Sequence, residues 1–395
     1  MSIKRQPPPA PRGRRRPTRT SEPESSVRQE SPPAVSGVEP LEPLSTRTSP
    51  TRQRMRRRTG SGDRDLDERI RLLVESAGFD VADTDLLRQG VETLFRTSRT
   101  ANRGEMKLVS RSLRELGRAF RIFAPYRGRR KVSIFGSART PGDDADYAVA
   151  RDFAREMVTR GWMVITGAGP GIMAAGHEGA GAANSFGVGI KLPMEQSANG
   201  FIAGDPKLID FKYFFTRKIM FMKESDAFVL CPGGYGTMDE AFELLTLMQT
   251  GKTPIRPVVL LAAADNSYWD DWLGFVREHL IERGLCSPED LALFEPACGI
   301  AEAAAIIERF YANYDSARYV GERLILRMKR APAKDALARL NREFEDVVTR
   351  GRIEKTQITS AERRDEDAVA LERLALFPTS NFGRLRQLID ALNRV

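Results

Sequence analysis

Between residues 130 and 313 short apolar runs alternate with longer amphipathic ones. Runs at 132–135, 162–166, 188–192, 227–230 and 258–261 are brief and rich in branched and aromatic residues, which predicts strands. Between them, residues 144–159, 171–183, 214–224 and 237–250 carry apolar positions at helical spacing. Alternation of this kind predicts an α/β fold: a Rossmann-like parallel sheet with helices on both faces. In such sheets ligands bind outside the carboxyl ends of the strands.

The flanking segments read differently. Residues 63–129 show only the helical period, through Ile70, Leu73, Leu87, Val91, Leu94, Leu108, Leu116 and Phe120, with breaks or caps at Gly78 and at Asp83-Thr84-Asp85. They predict a helical extension packed on the main body. Residues 314–395 suggest strands at 324–328, 353–359 and 371–377 and helices at 336–348 and 381–393. The order β-α-β-β-α predicts a small α+β segment, either regulatory or simply completing the fold. Residues 1–62 are rich in Pro, Ser, Thr and Arg and bury too little apolar surface to offset the entropy of ordering, so they read as a disordered tail.

Charge changes the picture only in that tail. The chain of 395 residues has a net charge of +9, and residues 1–62, with 14 Lys/Arg against 5 Asp/Glu, account for all of it. The remainder is neutral, so the basic balance says nothing about a site in the body. It allows a polyanion contact through the tail, beside the plainer reading of a solvated segment. Three widely spaced cysteines, Cys231, Cys286 and Cys298, form no disulfide framework and no zinc pattern, which suits a reducing cytoplasm. Only two histidines, His177 and His279, are present, too few for a His-rich metal centre. No apolar run reaches the ~18–20 residues of a membrane span, and no apolar signal core opens the chain.

Four segments carry candidate chemistry, each at a predicted strand end. Gly136-Ser137-Ala138-Arg139 follows the first strand, with small residues for close ligand approach and a cation for an anion. Thr166-Gly167-Ala168-Gly169-Pro170-Gly171-Ile172-Met173 follows the second and opens a helix, a second phosphate or ribose cradle. It is not a dinucleotide fingerprint: Ile172 stands where the third glycine belongs, and Lys191 where a ribose-binding acid is expected. Phe214-Phe215-Thr216-Arg217-Lys218 puts two cations in an apolar run, which alone reads as a solvated helix face.

The fourth segment is the most informative. Cys231-Pro232-Gly233-Gly234-Tyr235-Gly236-Thr237-Met238-Asp239-Glu240 links a buried strand to a helix. Its glycines let backbone N–H groups approach a ligand, and the helix start adds free donors and partial positive charge. Glu240 sits one turn inside. Thr237 and Glu240 also match a capping box, Thr-x-x-Glu, which gives the acid a structural job beside the chemical one. Because the helix is apolar nearly all round, Glu240 and Glu243 are acids in a largely buried element, and such acids need partners.

The run Pro-Gly-Gly-x-Gly-Thr-x-x-Glu at 232–240 resembles the signature of the LONELY GUY (LOG) family of nucleoside-monophosphate phosphoribohydrolases, which often carry a lysine decarboxylase label. The upstream Arg217-Lys218 and the Gly-x-Met at Gly171-Ile172-Met173 match in the same order, over roughly residues 130–313. The resemblance implies hydrolysis of an N-glycosidic bond, giving a free base and ribose 5-phosphate. It implies Glu240 and Arg217 as catalytic residues. It implies Gly136, Ser137, Gly167, Gly169, Gly171, Met173, Lys218, Gly233, Gly234, Gly236, Thr237 and Glu243 as substrate-binding residues. It implies no cofactor and no metal, a nucleoside monophosphate such as AMP or a cytokinin nucleotide as substrate, and at least a homodimer. Two departures bear on the preferred base: Phe214-Phe215-Thr216 replaces Met-His-Glu, and Thr166-Gly167-Ala168 replaces a glycine triplet.

Other functions fit parts of the sequence. A non-catalytic nucleotide or cofactor carrier on the same fold needs the cradles without the Arg217–Glu240 pair. A pyridoxal-phosphate decarboxylase needs a Schiff-base lysine with a ring-nitrogen partner, and none is identifiable in the sequence. A nucleic-acid-binding protein would act through the tail.

Overall fold

A computed structural model describes residues 60–76, 84–191, 198–360, 362–363 and 370–395. The chain divides into two units, Met1–Gly60 and Ser61–Val395, and every described helix and strand belongs to the second. The tail reading, with its polyanion contact, lies outside the described residues, as do the breaks at Gly78 and Asp83.

The main sheet has seven parallel strands: β1 (Lys131–Phe135), β2 (Met163–Thr166), β3 (Ser185–Ile190), β4 (Leu208–Phe211), β5 (Ala227–Leu230), β6 (Val258–Leu261) and β7 (Glu295–Ala297). Their spatial order is β4-β3-β2-β1-β5-β6-β7, so the winding reverses between β1 and β5, where Val132 pairs with Ala227 and Phe135 with Leu230. Alternate side chains of the central strands enter opposite cores. Val132, Ile134, Ala227 and Val229 pack toward one set of helices. Phe135, Phe228 and Leu230 pack toward the other. Burial on both faces is why these strands read as unbroken apolar runs.

One face carries α4 (Ala145–Thr159), α5 (Ile172–Ala180) and α9 (Ile300–Phe310). The other carries α3 (Arg103–Phe123), α6 (Phe214–Glu224), α7 (Tyr235–Gln249) and α8 (Tyr268–Phe275). Ahead of them run α1 (Arg64–Ser76) and α2 (Thr84–Ser98). Asn102 caps α3 in a reciprocal capping box with Glu105. This is the Rossmann-like α/β architecture that the alternation predicts.

Two strands have no counterpart in the sequence reading. β4 sits at one sheet edge with Asp210 inside it, and β7 sits at the other with Pro296 inside it. Edge strands tolerate both residues, and short edge strands give weak apolar signals. β3 begins earlier than predicted, because Gly187 and Gly189 dilute its apolar run. Leu192, the predicted end of that strand, lies outside the described residues.

The C-terminal layer corrects the predicted order. It holds β8 (Tyr314–Val320), β9 (Arg323–Met328), α10 (Lys334–Glu343), β10 (Val348–Lys355), β11 (Glu372–Pro378) and α11 (Phe382–Leu392), a β-β-α-β-β-α arrangement. Its four antiparallel strands run β10-β11-β9-β8 in space. The added strand β8 alternates partly exposed residues such as Asp315 and Ser316 with apolar ones, which hid it. Leu326, Leu374 and Leu388 join the same core as Val132 and Val164, so this layer is continuous with the main body. No helix among the described residues is long and apolar enough to cross a membrane.

Candidate active site

The loops after β1, β2 and β5 meet at the reversal point, and Ser137 stitches them together. Its N–H donates to the Pro232 carbonyl (3.0 Å), and its own carbonyl accepts the Ile172 N–H (3.0 Å). Its hydroxyl oxygen accepts the Arg139 N–H (3.1 Å). The predicted ligand-binding serine therefore serves first as a backbone staple. The glycines around it divide into two kinds. A Cβ at Gly136 would stand 2.6 Å from Ile172, one at Gly169 2.6 Å from Met173, and one at Gly233 2.7 Å from the Thr237 Cβ. Gly171 has φ +64° and packs against Ser137 and Ala138. Gly234 and Gly236 open onto space with no heavy atom within 4 Å. The packed glycines, with Met173 against two of them, let the three turns lie close together, while the open ones leave free space in front of the backbone.

A second brace secures the β2 loop. Buried His177 places Nε2 3.1 Å from both the Thr166 hydroxyl and the Phe186 carbonyl oxygen, so Nε2 carries the proton. Asn199 reaches the opposite ring nitrogen at 3.2 Å and donates to the Gly169 carbonyl at 2.9 Å. Burial holds His177 below its ordinary pKa against these contacts, so it is neutral. Within this loop Ala168 takes a left-handed φ of 65°. From the other side, Tyr268 donates its hydroxyl to the Gly233 carbonyl at 2.5 Å.

The fourth segment folds differently from the capping box that the sequence suggests. α7 starts at Tyr235 with Gly234 as its N-cap, and no side chain caps it. The Thr237 N–H donates to the Gly234 carbonyl at 3.1 Å. Because the helix begins two residues before Thr237, Glu240 lies past the first turn and points inward rather than back to the cap. Glu240 is 4% exposed, and its buried Oε2 has no hydrogen-bond partner.

Cations from α6 face it. Lys218 Nζ lies 2.6 Å from Glu243, 2.9 Å from Asp239 and 4.0 Å from Glu240. Arg217 donates from Nε to the Val188 carbonyl at 3.0 Å and lies over the Phe221 ring at 5.3 Å. Its Nη2 sits 2.5 Å from where a Gly167 Cβ would stand, so the absent side chain makes room for the guanidinium. Burial raises the Glu240 pKa to about 7; Lys218 and Arg217 oppose the rise, and Glu243 and Asp239 add to it. Burial opposes protonation of Lys218 as well, but its hydrogen bonds to Glu243 and Asp239 prevail and raise its pKa.

The structure thus brings the four segments together. It adds Asp239, Tyr268, His177 and Asn199, which the sequence reading did not single out. Asp239 lies four residues before the Glu243 that shares its lysine, a helical spacing that could have been noticed; the others act across long sequence separations.

Known proteins resemble part of this chain. The family model described as "Possible lysine decarboxylase" matches residues 173–307. The probable cytokinin riboside 5'-monophosphate phosphoribohydrolase LOG6 of Arabidopsis thaliana is 35% identical over 153 residues, 37% of this chain and 72% of that protein. The cytokinin riboside 5'-monophosphate phosphoribohydrolase LOG3 of the same plant is 31% identical, over 40% of this chain and 73% of its own. The chain belongs to the LOG family. Among solved structures, the molybdenum cofactor carrier protein of Chlamydomonas reinhardtii aligns at 20% identity with a TM-score of 0.32, covering 46% of this chain and 97% of its own. In this LOG-family chain, the helical extension and the C-terminal layer lie outside the residues that the family model matches.

Proposed function

We propose that this LOG-family protein hydrolyses the N-glycosidic bond of a nucleoside 5'-monophosphate, AMP or an N6-substituted AMP, to free base and ribose 5-phosphate. The observation that carries the reading is Glu240: a buried carboxylate with one oxygen lacking a hydrogen-bond partner, faced by two cations and set beside amide-lined turns. Its relatives' names, as phosphoribohydrolases of cytokinin nucleotides, support the same reaction class.

The chemistry follows from the arrangement. As the C1′–N bond breaks, the base leaves with the bonding pair and positive charge develops on the ribose ring. A carboxylate a short distance away stabilises that charge and takes a proton from the water that adds at C1′. That proton balances the one the departing base acquires. The open start of α7 and the β2 loop hold the 5'-phosphate through backbone N–H groups and the helix dipole. Arg217 and Lys218 hold the substrate and keep Glu240 ionisable despite its burial. Glu243 and Thr237 complete the ribose side of the cleft. Apolar residues exposed on α6 and α7, Phe214, Phe215, Ile219 and Phe242, support a homodimer built on this face.

A decarboxylase reading fits poorly. A Schiff-base lysine must lose its proton, whereas Lys218 is held protonated by its acids. The carrier reading leaves Glu240 without a job.

Incubating the protein with a panel of nucleoside 5'-monophosphates, and with the matching nucleosides, tests the proposal. Ribose 5-phosphate should appear from a monophosphate, and kcat/KM for the nucleoside should be on the order of 10² lower or worse, since the phosphate grip is lost. A protein that binds the panel and cleaves none of it would favour the carrier.

The pH dependence has a defined sign. Catalysis needs ionised Glu240, whose pKa lies near 7. kcat/KM should therefore rise about tenfold per pH unit below that value and level off above it. A profile flat from pH 5 to 8 would remove Glu240 from the rate-determining chemistry.

A further inference from the structure

The position before Arg217, where this sequence departs from the pattern it resembles, is occupied by fully buried Thr216. Its hydroxyl lies 2.8 Å from Oε2 of Glu115, a residue of α3 in the N-terminal helical extension, 101 positions away. The other oxygen of Glu115 accepts the Lys212 N–H at 3.0 Å. Glu115 is 6% exposed and is held from behind by Arg111, whose Nε lies 2.8 Å away. One buried carboxylate therefore grips both the strand-to-helix approach at Lys212 and the first turn of α6 at Thr216. A negative charge there also meets the positive end of the α6 dipole.

The first turn of α6 carries the cations of the cleft. The Arg217 N–H closes that turn on the Tyr213 carbonyl at 3.3 Å, each end of the bond adjoining a point that Glu115 holds. Lys218 follows, with its contacts to Asp239 and Glu243. We propose that Glu115 is a positioning residue of the active site, contributed by the helical extension, whose carboxylate fixes the start of α6 and so sets Arg217 and Lys218 against Glu240. The inference rests on reading this cleft as the nucleotide-cleaving site. It makes the extension a working part of the enzyme rather than a surface addition.

The test compares the full-length wild type with Glu115→Ala, Glu115→Gln and Thr216→Val, in kcat, KM and the pH profile of ribose 5-phosphate release. Glu115→Ala should lose on the order of 10–100-fold in kcat with a smaller change in KM, as expected when a group near the reacting atoms is misplaced. Its acid limb should move to higher pH. Glu240 faces Arg217 and Lys218 from α6 and Asp239 and Glu243 on its own helix, and a displaced Arg217 opposes the effect of burial less. Glu115→Gln should recover most of the rate. Its carbonyl can accept the Lys212 N–H, and its amide can donate to Thr216 while the Thr216 hydroxyl turns to the Tyr213 carbonyl, 2.9 Å away. Thr216→Val, which removes one contact, should lose less in the same direction, and it decides the matter if Glu115→Ala does not fold. A folded Glu115→Ala, or Thr216→Val in its place, with wild-type kcat and an unmoved midpoint overturns the proposal. If the wild type cleaves no nucleotide, the functional reading fails on its own. Amide hydrogen exchange at residues 214–218 then decides the clamp, through faster exchange in Glu115→Ala than in Glu115→Gln if it holds and equal exchange if it does not.

Discussion

Replacing Glu240 with Gln should cut nucleotide hydrolysis by on the order of 10²–10⁴ while making the protein more stable above pH 7. The loss follows from removing the proton acceptor and the charge that opposes the developing ribose cation. The gain follows from where the carboxylate sits. Its folded pKa of about 7 lies above the 4.5 of an unperturbed Glu, so the fold disfavours the ionised form. Stability therefore falls as pH rises from about 4.5 through 7, and a neutral amide escapes that penalty. The difference approaches about 3 kcal/mol at pH 8 and vanishes at acidic pH. Lys218 does not become an orphan in the variant, because Asp239 and Glu243 remain 2.9 and 2.6 Å away. Thermal unfolding of both proteins at pH 5 and pH 8 checks the sign. A variant less stable at pH 8 than at pH 5, relative to wild type, would mean that Glu240 is a structural ion-pair residue.

Two glycine substitutions should separate the architecture of the cradle from its mouth. Gly171→Ala should destabilise the protein by on the order of 3 kcal/mol or more and abolish activity. The position has φ +64°, and a Cβ there would run into the Ser137 carbonyl oxygen and stand 2.7 Å from the Ala138 carbonyl carbon. The Ile172-to-Ser137 hydrogen bond that ties the β2 loop to the β1 loop would have to give way. Gly236→Ala should do the opposite. It lies in the first turn of α7, where an added Cβ would have nothing within 4 Å, so the methyl should leave stability unchanged or raise it by about 0.5–1 kcal/mol through helix propensity. The same methyl would stand in the mouth where the phosphate approaches, and KM should rise about tenfold or more. Denaturant unfolding and steady-state kinetics read both effects. A Gly236→Ala protein with unchanged KM would move the phosphate away from the start of α7.

The central strands are legible in the sequence because each is buried on both faces and so forms a continuous apolar run. The strand at Ala227–Leu230 and the helix at Phe214–Glu224 have the bounds that spacing predicts. Legibility fails at the sheet edges, where Asp210 and Pro296 break the signal, and in β8, whose side chains are mostly half exposed. The glycine turns and the acid are visible as local motifs. The capping box at Thr237 is a false local signal, since Gly234 already caps the helix and Glu240 is buried beside Lys218 instead. Lys218 reads as part of a solvated face, and only the fold shows it enclosed by three acids. Glu115, His177 and Tyr268 cannot be found by motif, because each acts on a loop that the topology brings to it from far along the chain.

The decisive measurement is product analysis after incubating AMP or an N6-substituted AMP with wild type and Glu240→Gln at pH 8. Equimolar free base and ribose 5-phosphate are expected from the wild type, with at least about 100-fold slower release of both from the folded variant. Equal rates from the two proteins, or a wild type that leaves every monophosphate intact, would refute cleavage assisted by Glu240.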